Sequence, residues 1–293
     1  MELNKLNTFI DLSHTLSYTE TAENLFTTQG NISKQILSLE KELGVTLFKR
    51  EHRKIDLTAD GELVLGYAQQ ITNLSAELNS ALARTERTKN HQLLIKTIPS
   101  IMNYHALNLI TQFQSEQDKE INLNLTEDEA VNLLDSIKGE TDIIFTRMFK
   151  ELSPEYAVIP IEEDRFVAVL PRGHALTKFK KIDLADLATE KWLLLDDDTQ
   201  LLQPIKKLIK QAGIDPQINY EGKRPNLIME MVSRSSGVSL MMEKVAQSEA
   251  NANVELVPIA ENISSVLGFV RNKEYNTAAS DLFWDYLQHS IPE

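Results

Sequence analysis

The sequence of 293 residues contains no cysteine. This absence excludes disulfide bonds, thiolate metal ligands and redox sensing by a thiol. Long apolar runs are also missing, since no stretch approaches the roughly twenty apolar residues that a membrane helix needs. The first residues lack the basic and then apolar pattern of a secretion signal. We therefore expect a cytoplasmic protein that makes no membrane contact.

Positive charge is scarce in this chain. Lysine and arginine number 30 against 43 aspartate and glutamate, so the net charge is −13, whereas nucleic-acid binders are usually basic. Residues 1–65 contain seven basic and ten acidic side chains, and four of the seven basic ones lie between Lys49 and Lys54. If the chain binds nucleic acid, the attraction must come from that short segment, and tight binding would need several subunits on one site.

Motifs of common enzyme classes are absent as well. The sequence has no G-x-S-x-G, H-E-x-x-H or G-x-x-x-x-G-K-[ST] pattern, and its six histidines are scattered. We predict a protein without catalytic residues, without a metal site and without a cofactor.

The segment from Tyr18 to Leu43 predicts two short helices joined by a tight polar turn. Thr27 and Thr28 can cap the second helix, and Gly44 ends it because glycine readily adopts the left-handed conformation. Apolar residues recur along this helix at spacings of four, three and four, which predicts one buried stripe: Ile32, Ile36, Leu39 and Leu43.

An earlier amphipathic segment supplies partners for the first of these helices. Thr19 is expected to open that helix, and Ala22 is small enough for close helix crossing. Leu25 is expected to point inward with Leu6 and Phe9. The three helices would then share one small core.

Polar groups crowd the start of the second helix, outside its apolar stripe. Gln29, Asn31 and Lys34 are predicted to contact bases, because glutamine can pair with adenine and lysine can donate to guanine in the major groove. Thr28 and Ser33 are predicted to hold phosphate, which suits hydroxyl groups at a helix N-terminus.

A hairpin-like wing follows Gly44. Short apolar segments around Phe48 and Ile55 flank a basic tip. Arg50, Arg53 and Lys54 are predicted to contact the DNA backbone, and Arg53 is a candidate for the minor groove.

These residues resemble the LysR-type transcriptional regulators. The resemblance runs from Leu3 through Leu65 and departs from the family pattern at Gly30-Asn31, where proline or serine followed by a small residue is usual. Its pieces keep the order and spacing of the family: Leu16-Ser17-Tyr18-Thr19, Thr21-Ala22-Glu23-Asn24-Leu25, Thr28-Gln29, Ile32-Ser33-Lys34-Gln35-Ile36, Leu39-Glu40, Leu43-Gly44-Val45, Leu47-Phe48-Lys49-Arg50 and Leu57-Thr58-Ala59-Asp60-Gly61.

The resemblance implies an α/β protein in three parts. These are an α-rich winged helix-turn-helix DNA-binding domain over residues 1–58, a linker and dimerisation helix over 59–89, and a two-lobed, periplasmic-binding-protein-like effector domain over 91–293. The implied function is sequence-specific transcriptional regulation modulated by a small-molecule effector. The implied partners are a double-stranded DNA operator, the effector, RNA polymerase and further copies of the chain, as a homodimer or a homotetramer.

The linker segment carries an apolar seam at helical spacing. We predict dimerisation through Tyr67, Ile71, Leu74 and Leu78, because about thirty residues of helix carry more apolar surface than a small winged domain needs. The alternative is an ordinary helix that packs on its own domain.

From Leu93 onward, short strand patterns alternate with helix patterns, which is typical of a parallel sheet covered by helices. One helix is expected over Ile101 to Phe113 and a strand over Phe166 to Leu170. The chain is expected to return to the first lobe near its end. The predicted lobe I comprises residues 91–160 and 265–293, and lobe II comprises residues 161–264.

Further pieces resemble the effector domain of the family, among them Leu170-Pro171-Arg172-Gly173-His174. In such folds, ligands lie where strands end and helices begin. The residues at these positions are the effector-binding candidates: Ser100, Ile101, Thr146, Arg147, Thr199, Gln200 and Asn226. Three of them, Ser100, Thr199 and Asn226, have an alternative role as helix caps.

Two charged features leave the sign of the effector's charge open. Arg147 would pair either with an anionic effector or with Glu151 at the surface. The triplet Asp196-Asp197-Asp198 would either favour a cationic effector or form a solvated loop.

A second function stays open on the sequence alone. Residues 1–65, here called the reading head, are acidic overall. This charge suits a solute-binding or sensor protein whose N-terminal domain mediates protein interaction. Salt dependence separates the two, because DNA affinity falls steeply with ionic strength.

Overall fold

The computed structural model describes residues 2–51, 54–89, 91–116, 121–137, 141–261 and 263–291, with the backbone alone at residues 50, 51, 54, 80, 83, 84, 86 and 89. The chain forms two compact units, residues 1–82 and 83–293. No helix within the described ranges is both long and apolar enough to cross a bilayer.

The first unit contains three short helices, a hairpin and most of a long helix. Their bounds are α1 Leu3–Thr15, α2 Tyr18–Asn24, α3 Gln29–Leu43, β1 Phe48–Glu51, β2 Lys54–Leu57 and α4 Ala59–Lys89. Phe9, Ile32 and Leu39 are fully buried in the core that the three helices share. The predicted helix-turn-helix and wing are therefore confirmed as elements of the fold.

Three details of the first unit differ from expectation. Ser17, not Thr19, caps α2, because its side chain accepts the Glu20 N–H. Leu25 and Leu43 are each 37% exposed and do not complete the core. Both stand at the end of their helix, where the chain turns away from the packed stripe.

Helix α4 begins against the first core and continues as a helix of 31 residues. Ala68 is buried, and Val64 and Leu65 pack partly against the same core. A Cβ at Gly61 would lie 2.2 Å from the Leu47 carbonyl oxygen. Glycine at this position therefore permits close contact between α4 and the start of the wing.

The second unit is built from nine strands and six α-helices within the described ranges. The strands are β3 Gln92–Thr97, β4 Asn122–Glu127, β5 Ile143–Met148, β6 Tyr156–Pro171, β7 Lys191–Leu195, β8 Gln217–Gly222, β9 Ser239–Met242, β10 Val254–Pro258 and β11 Ser264–Asn272. The helices are α5 Ala106–Glu116, α6 Ala130–Ser136, α7 Leu202–Gln211, α8 Pro225–Ser233, α9 Glu243–Glu249 and α10 Ala278–Ser290.

Strand β6 divides this unit into two lobes because it changes partners along its length. Its first part, up to Arg165, pairs with β11 beside β5, β3 and β4. From Phe166 onward it pairs with β9, and from Val167 with β10. The parallel pair β7 and β8 joins the second lobe through a bridge between Trp192 and Val238. The predicted two-lobed α/β fold is confirmed.

Two predicted elements of this unit have different bounds. The helix expected from Ile101 to Phe113 is interrupted at Tyr104, which is extended between a 3-10 turn, Ile101–Asn103, and α5. The strand expected from Phe166 to Leu170 is the second part of the 16-residue β6. The charged run from Glu162 to Arg165 interrupts the apolar pattern, so the sequence did not predict the first part of this strand. In the structure, polar contacts hold these side chains where the lobes join.

Candidate DNA interface and effector cavity

The turn before α3 is closed by hydrogen bonds among its own polar residues. Thr28 Oγ1 accepts the Asn31 N–H at 3.3 Å, and Asn31 Nδ2 donates to Thr27 Oγ1 at 2.9 Å. Thr28 and Asn31 are nevertheless exposed, as are Gln29 and Lys34, while Ser33 is half-buried. Both side chains keep hydrogen-bonding capacity: the Thr28 hydroxyl can still donate, and the Asn31 amide can still accept through its oxygen and donate its second N–H.

Gly30 lies in the first turn of α3 with no atom within 4 Å of the position its Cβ would occupy. The departure from the family pattern at this residue is therefore not required by packing within the described chain. Its effect is confined to the solvent-facing surface of α3 and to the flexibility of its first turn.

The wing is attached to α3 by a side chain that the sequence reasoning missed. Glu40 Oε1 accepts the Leu47 N–H at 2.7 Å, and the Thr58 hydroxyl donates to the Thr46 carbonyl at 2.6 Å. Glu40 follows the apolar stripe residue Leu39, and only the folded turn brings it to Leu47. These bonds orient the hairpin on the recognition helix.

Two of the three wing residues that are predicted to contact phosphate, Arg50 and Lys54, lie in the described strands of the hairpin. Arg50 pairs with Ile55, and Lys54 pairs with Glu51, in antiparallel register. Both residues belong to the backbone-only part of the description, and Arg53 lies outside the described residues. Their DNA contacts stay a prediction.

One face of α4 presents a row of exposed apolar side chains. Tyr67, Leu74 and Leu78 are each at least 60% exposed, and Ile71 is 37% exposed. Leu63 and Leu82, which the sequence reasoning missed, extend the row by one turn at each end. Soluble proteins normally cover so continuous a row with a partner.

A cavity of about 250 Å³ lies between the two lobes of the second unit. Most of its wall is apolar, contributed by both lobes: Ile98, Pro99, Met102, Ala130, Leu195, Leu201, Pro225, Met241, Met242 and Val245. The remaining wall is polar or charged: Ser100, Asn103, Glu129, Arg147, Thr199, Lys223, Arg224, Asn226 and Glu249.

Four of the seven predicted effector residues lie in this wall: Ser100, Arg147, Thr199 and Asn226. The three alternative capping roles are met in part. Ser100 holds the cap position of the 3-10 turn but makes no capping side-chain bond. Thr199 Oγ1 accepts the Leu201 N–H at 3.4 Å just before α7, and Asn226 Oδ1 accepts the Leu227 N–H at 2.9 Å, although Arg224 holds the cap position before α8.

The other three predicted effector residues stand outside the wall. Ile101 and Thr146 are buried in the lobe behind it. Gln200 has a left-handed backbone conformation, with φ of 57°, and its Nε2 donates to the Ala130 carbonyl at 3.0 Å. Since Ala130 belongs to the opposite lobe, Gln200 bridges the lobes and does not face the cavity.

Arg147 is held by groups at the junction of the lobes. Its guanidinium donates to Ser265 Oγ at 2.5 Å and to the Tyr104 hydroxyl, and lies 3.6 Å from Asp164 Oδ2. Tyr104 in turn donates to Asp164 at 2.7 Å, and burial raises the pKa of its hydroxyl. Of the two alternatives for Arg147, the surface pair with Glu151 is wrong, because the buried carboxylate of Asp164 balances the Arg147 charge.

The aspartate triplet forms a turn beside the cavity. Asp198 pairs with Lys223, and Asp197 accepts a hydrogen bond from Gln203 at 2.8 Å. Asp196 Oδ1 is buried without a hydrogen-bond partner among the described residues. The three carboxylates stand behind the described wall, so their influence on a ligand is electrostatic.

Sequence reasoning missed most of the apolar wall and four of its charges. Met241 and Met242 belong to a short strand pattern, and the ends of β9 and α9 face the cavity only after β9 pairs with β6. Glu129, Lys223 and Arg224 lie just before helix patterns of the sequence, and Glu249 lies in no predicted helix. No local pattern distinguishes these four residues from solvated charges.

The two units define a class of protein: a winged helix-turn-helix module continued by a long helix into a two-lobed domain with a ligand-sized cavity. Family models match both parts, the bacterial regulatory helix-turn-helix protein of the lysR family over residues 3–62 and the LysR substrate binding domain over residues 86–291. The chain belongs to the LysR family of transcriptional regulators.

Individual proteins agree with this assignment. A probable RuBisCO transcriptional regulator of Cyanophora paradoxa is 30% identical over 278 residues, covering 91% of this chain and 85% of that protein. Another, from Trieres chinensis, is 29% identical over 290 residues and covers 92% and 91%. The crystal structure of full-length CbnR complexed with its target DNA covers 99% of each chain at 21% identity and a TM-score of 0.55, which shows a shared fold.

The resemblance predicted from the sequence is thereby confirmed. The chain is a DNA-binding transcriptional regulator with an effector-binding domain, and regulators of this family form oligomers. The alternative, a sensor whose N-terminal domain mediates protein interaction, is not supported.

Proposed function

We propose that a small molecule in the cavity between the lobes controls how this regulator acts on DNA. The main observation that supports this proposal is that both lobes contribute to the cavity wall, with Ser100 on one side and Asn226 on the other. A ligand that contacts both lobes favours the lobe arrangement in which its contacts are best. The altered arrangement changes how the subunits present their reading heads.

The proposed reading head keeps the roles that the sequence suggested. Gln29, Asn31 and Lys34 contact bases, while Thr28 and Ser33 hold phosphate at the start of α3. The wing residues Arg50, Arg53 and Lys54 contact the DNA backbone. Exposure of the α3 residues supports this assignment.

Assembly supplies the affinity that one acidic subunit lacks. The proposed dimer forms through the exposed row of α4 that includes Tyr67, Ile71, Leu74 and Leu78. Two reading heads at a fixed separation match a two-fold repeated operator. A dimer of dimers doubles the number of contacts.

The protein works in the cytoplasm, contacts RNA polymerase when it activates transcription, and catalyses no reaction. Its DNA-binding domain comprises residues 1–58, its linker helix residues 59–89 and its effector domain residues 91–293. Lobe I comprises 91–160 and 265–293, and lobe II comprises 161–264.

A cavity-filling variant tests the effector role. The operator sequence is first identified by selecting the DNA duplexes in a random library that bind the purified protein. A reporter gene under the control of this operator then measures regulation. Val245→Phe, which fills the cavity, should bind the operator with unchanged affinity. Its reporter expression should no longer respond to the growth conditions that change reporter expression with the unsubstituted protein. The matched variant Val158→Phe, at a 38% exposed position of β6, should respond normally. An unchanged response of Val245→Phe would exclude this cavity as the effector site.

A further inference from the structure

Some charged residues of the cavity wall are already paired with an opposite charge, and others are not. Arg147 is balanced by Asp164, and Lys223 is paired with Asp198. The pKa of Lys223 is raised chiefly by its hydrogen bond to Asp198, with a smaller contribution from the nearby Glu129. Glu129 therefore stands in the field of a lysine.

Three charges of the wall form no ion pair among the described residues: Glu129, Arg224 and Glu249. The nearby Lys223 compensates Glu129 in part, so Arg224 and Glu249 are the two that remain. Within the described residues, neither Arg224 nor Glu249 forms an ion pair or a side-chain hydrogen bond, although both face the same cavity. Arg224 precedes α8, where the Asn226 amide also lines the wall. Glu249 follows Val245 by four residues on α9, so both side chains stand on one face of that helix.

The size and the lining of the cavity limit the ligand further. About 250 Å³ lies below the range of roughly 300–1,000 Å³ that is usual for drug-sized ligands. Met102, Met241, Met242 and Val245 provide a wall that desolvates a hydrocarbon or thioether group at little cost. A sugar bisphosphate or a dinucleotide would need more space and several unbalanced cations, because buried charge must be paired.

We infer that the cavity binds a small zwitterion with an apolar body, of the class of aliphatic, thioether or aromatic α-amino acids. The carboxylate of the ligand binds Arg224 and the Asn226 amide, its ammonium group binds Glu249, and its side chain lies against the methionines. This inference rests on the proposed function only in taking the cavity as the effector site.

Three amino acids and two truncated analogues of leucine test the charge requirement on the full chain by titration calorimetry. Leucine, methionine and phenylalanine serve as amino acids, 4-methylpentanoate is leucine without the amino group, and isopentylamine is leucine without the carboxylate. At least one amino acid should bind with a Kd in the micromolar range, and both truncated analogues should bind at least about tenfold more weakly than leucine, since a hydrogen bond to a charged group contributes about 1.5–3 kcal/mol. Equal binding of 4-methylpentanoate and leucine, or tight binding of ribulose 1,5-bisphosphate, would overturn the inference.

Variants assign the two charges separately. Arg224→Gln should weaken leucine about tenfold or more and leave isopentylamine unchanged, whereas Glu249→Gln should weaken leucine and leave 4-methylpentanoate unchanged. The control Arg234→Gln removes an exposed arginine that pairs with Glu230 at the other end of α8 and should change no affinity. If both wall variants bind leucine like the unchanged protein, the inference is wrong.

The outcomes separate this inference from the proposed function. Failure of all amino acids to bind, while the Val245→Phe reporter still loses its response, rejects the ligand class and keeps the effector cavity. Amino-acid binding with a normal Val245→Phe response keeps the ligand class and rejects the regulatory role of the site.

Discussion

The Arg87 guanidinium lies 3.4 Å from Asp142 Oδ1, and both side chains are buried where the last turn of α4 meets the effector domain. The second carboxylate oxygen of Asp142 accepts the Leu94 N–H at 2.9 Å. One carboxylate thus ties the end of the linker helix to β3, the first strand of that domain. The end of α4 is therefore held to the lobe that carries β3.

Removal of this carboxylate should destabilise the effector domain. Asp142→Ala leaves Arg87 as a buried charge without this partner, and breaking such a pair costs about 3–5 kcal/mol. Chemical denaturation should show this loss in the free energy of unfolding. The exposed pair of Arg234 and Glu230 provides the control, because Glu230→Ala should cost less than about 1 kcal/mol. Similar losses in the two variants would contradict the role given to Asp142.

Two glycines of the first unit should respond in opposite directions to the same substitution. Gly30→Ala places its Cβ in open space and should stabilise the protein by up to about 1 kcal/mol, since alanine favours the helix. Gly61→Ala drives its Cβ against the Leu47 carbonyl oxygen and should lower the melting temperature. Thermal unfolding of the two variants gives the signs, and a stabilised Gly61→Ala protein would refute the close contact of α4 with the wing.

Base contact and phosphate contact should differ in DNA titrations. Lys34→Ala should change sequence preference, with a cost of about 1–3 kcal/mol on the preferred operator. Arg50→Ala should weaken all sequences alike and reduce the salt slope of binding by about one unit. Lys207→Ala, an exposed lysine of α7, serves as the control and should alter neither quantity. The assignment fails if neither Lys34→Ala nor Arg50→Ala affects operator binding.

The exposed row of α4 should control assembly. Leu74 is 67% exposed in the subunit, and Leu74→Glu places a charge where the partner helix is expected. Light scattering should report a shift from oligomer toward monomer at micromolar concentration, because a buried unpaired charge opposes association. Gln69→Glu adds the same charge on the opposite side of the helix and should leave the mass unchanged. An oligomer that persists in Leu74→Glu would place the interface elsewhere.

The local features of the chain were predictable in detail. The caps and apolar spacing of α3, from Thr28 to Gly44, specify the recognition helix through contacts within a few residues. The same reasoning located the second part of β6, from Phe166 to Leu170, but it missed the first part because the charged residues around Asp164 resemble a loop until Arg147 and Tyr104 surround them.

The sequence by itself determined the family, the reading head and the two-lobed α/β plan, because these depend on periodicity, capping and motif order along the chain. Only the tertiary structure decided which charges of the cleft are available to a ligand. Arg147 is balanced by a carboxylate 17 positions away in sequence, whereas Arg224 and Glu249 face one cavity without ion-pair partners among the described residues. Charge balance depends on distances in space, and these distances arise only when the lobes pack together.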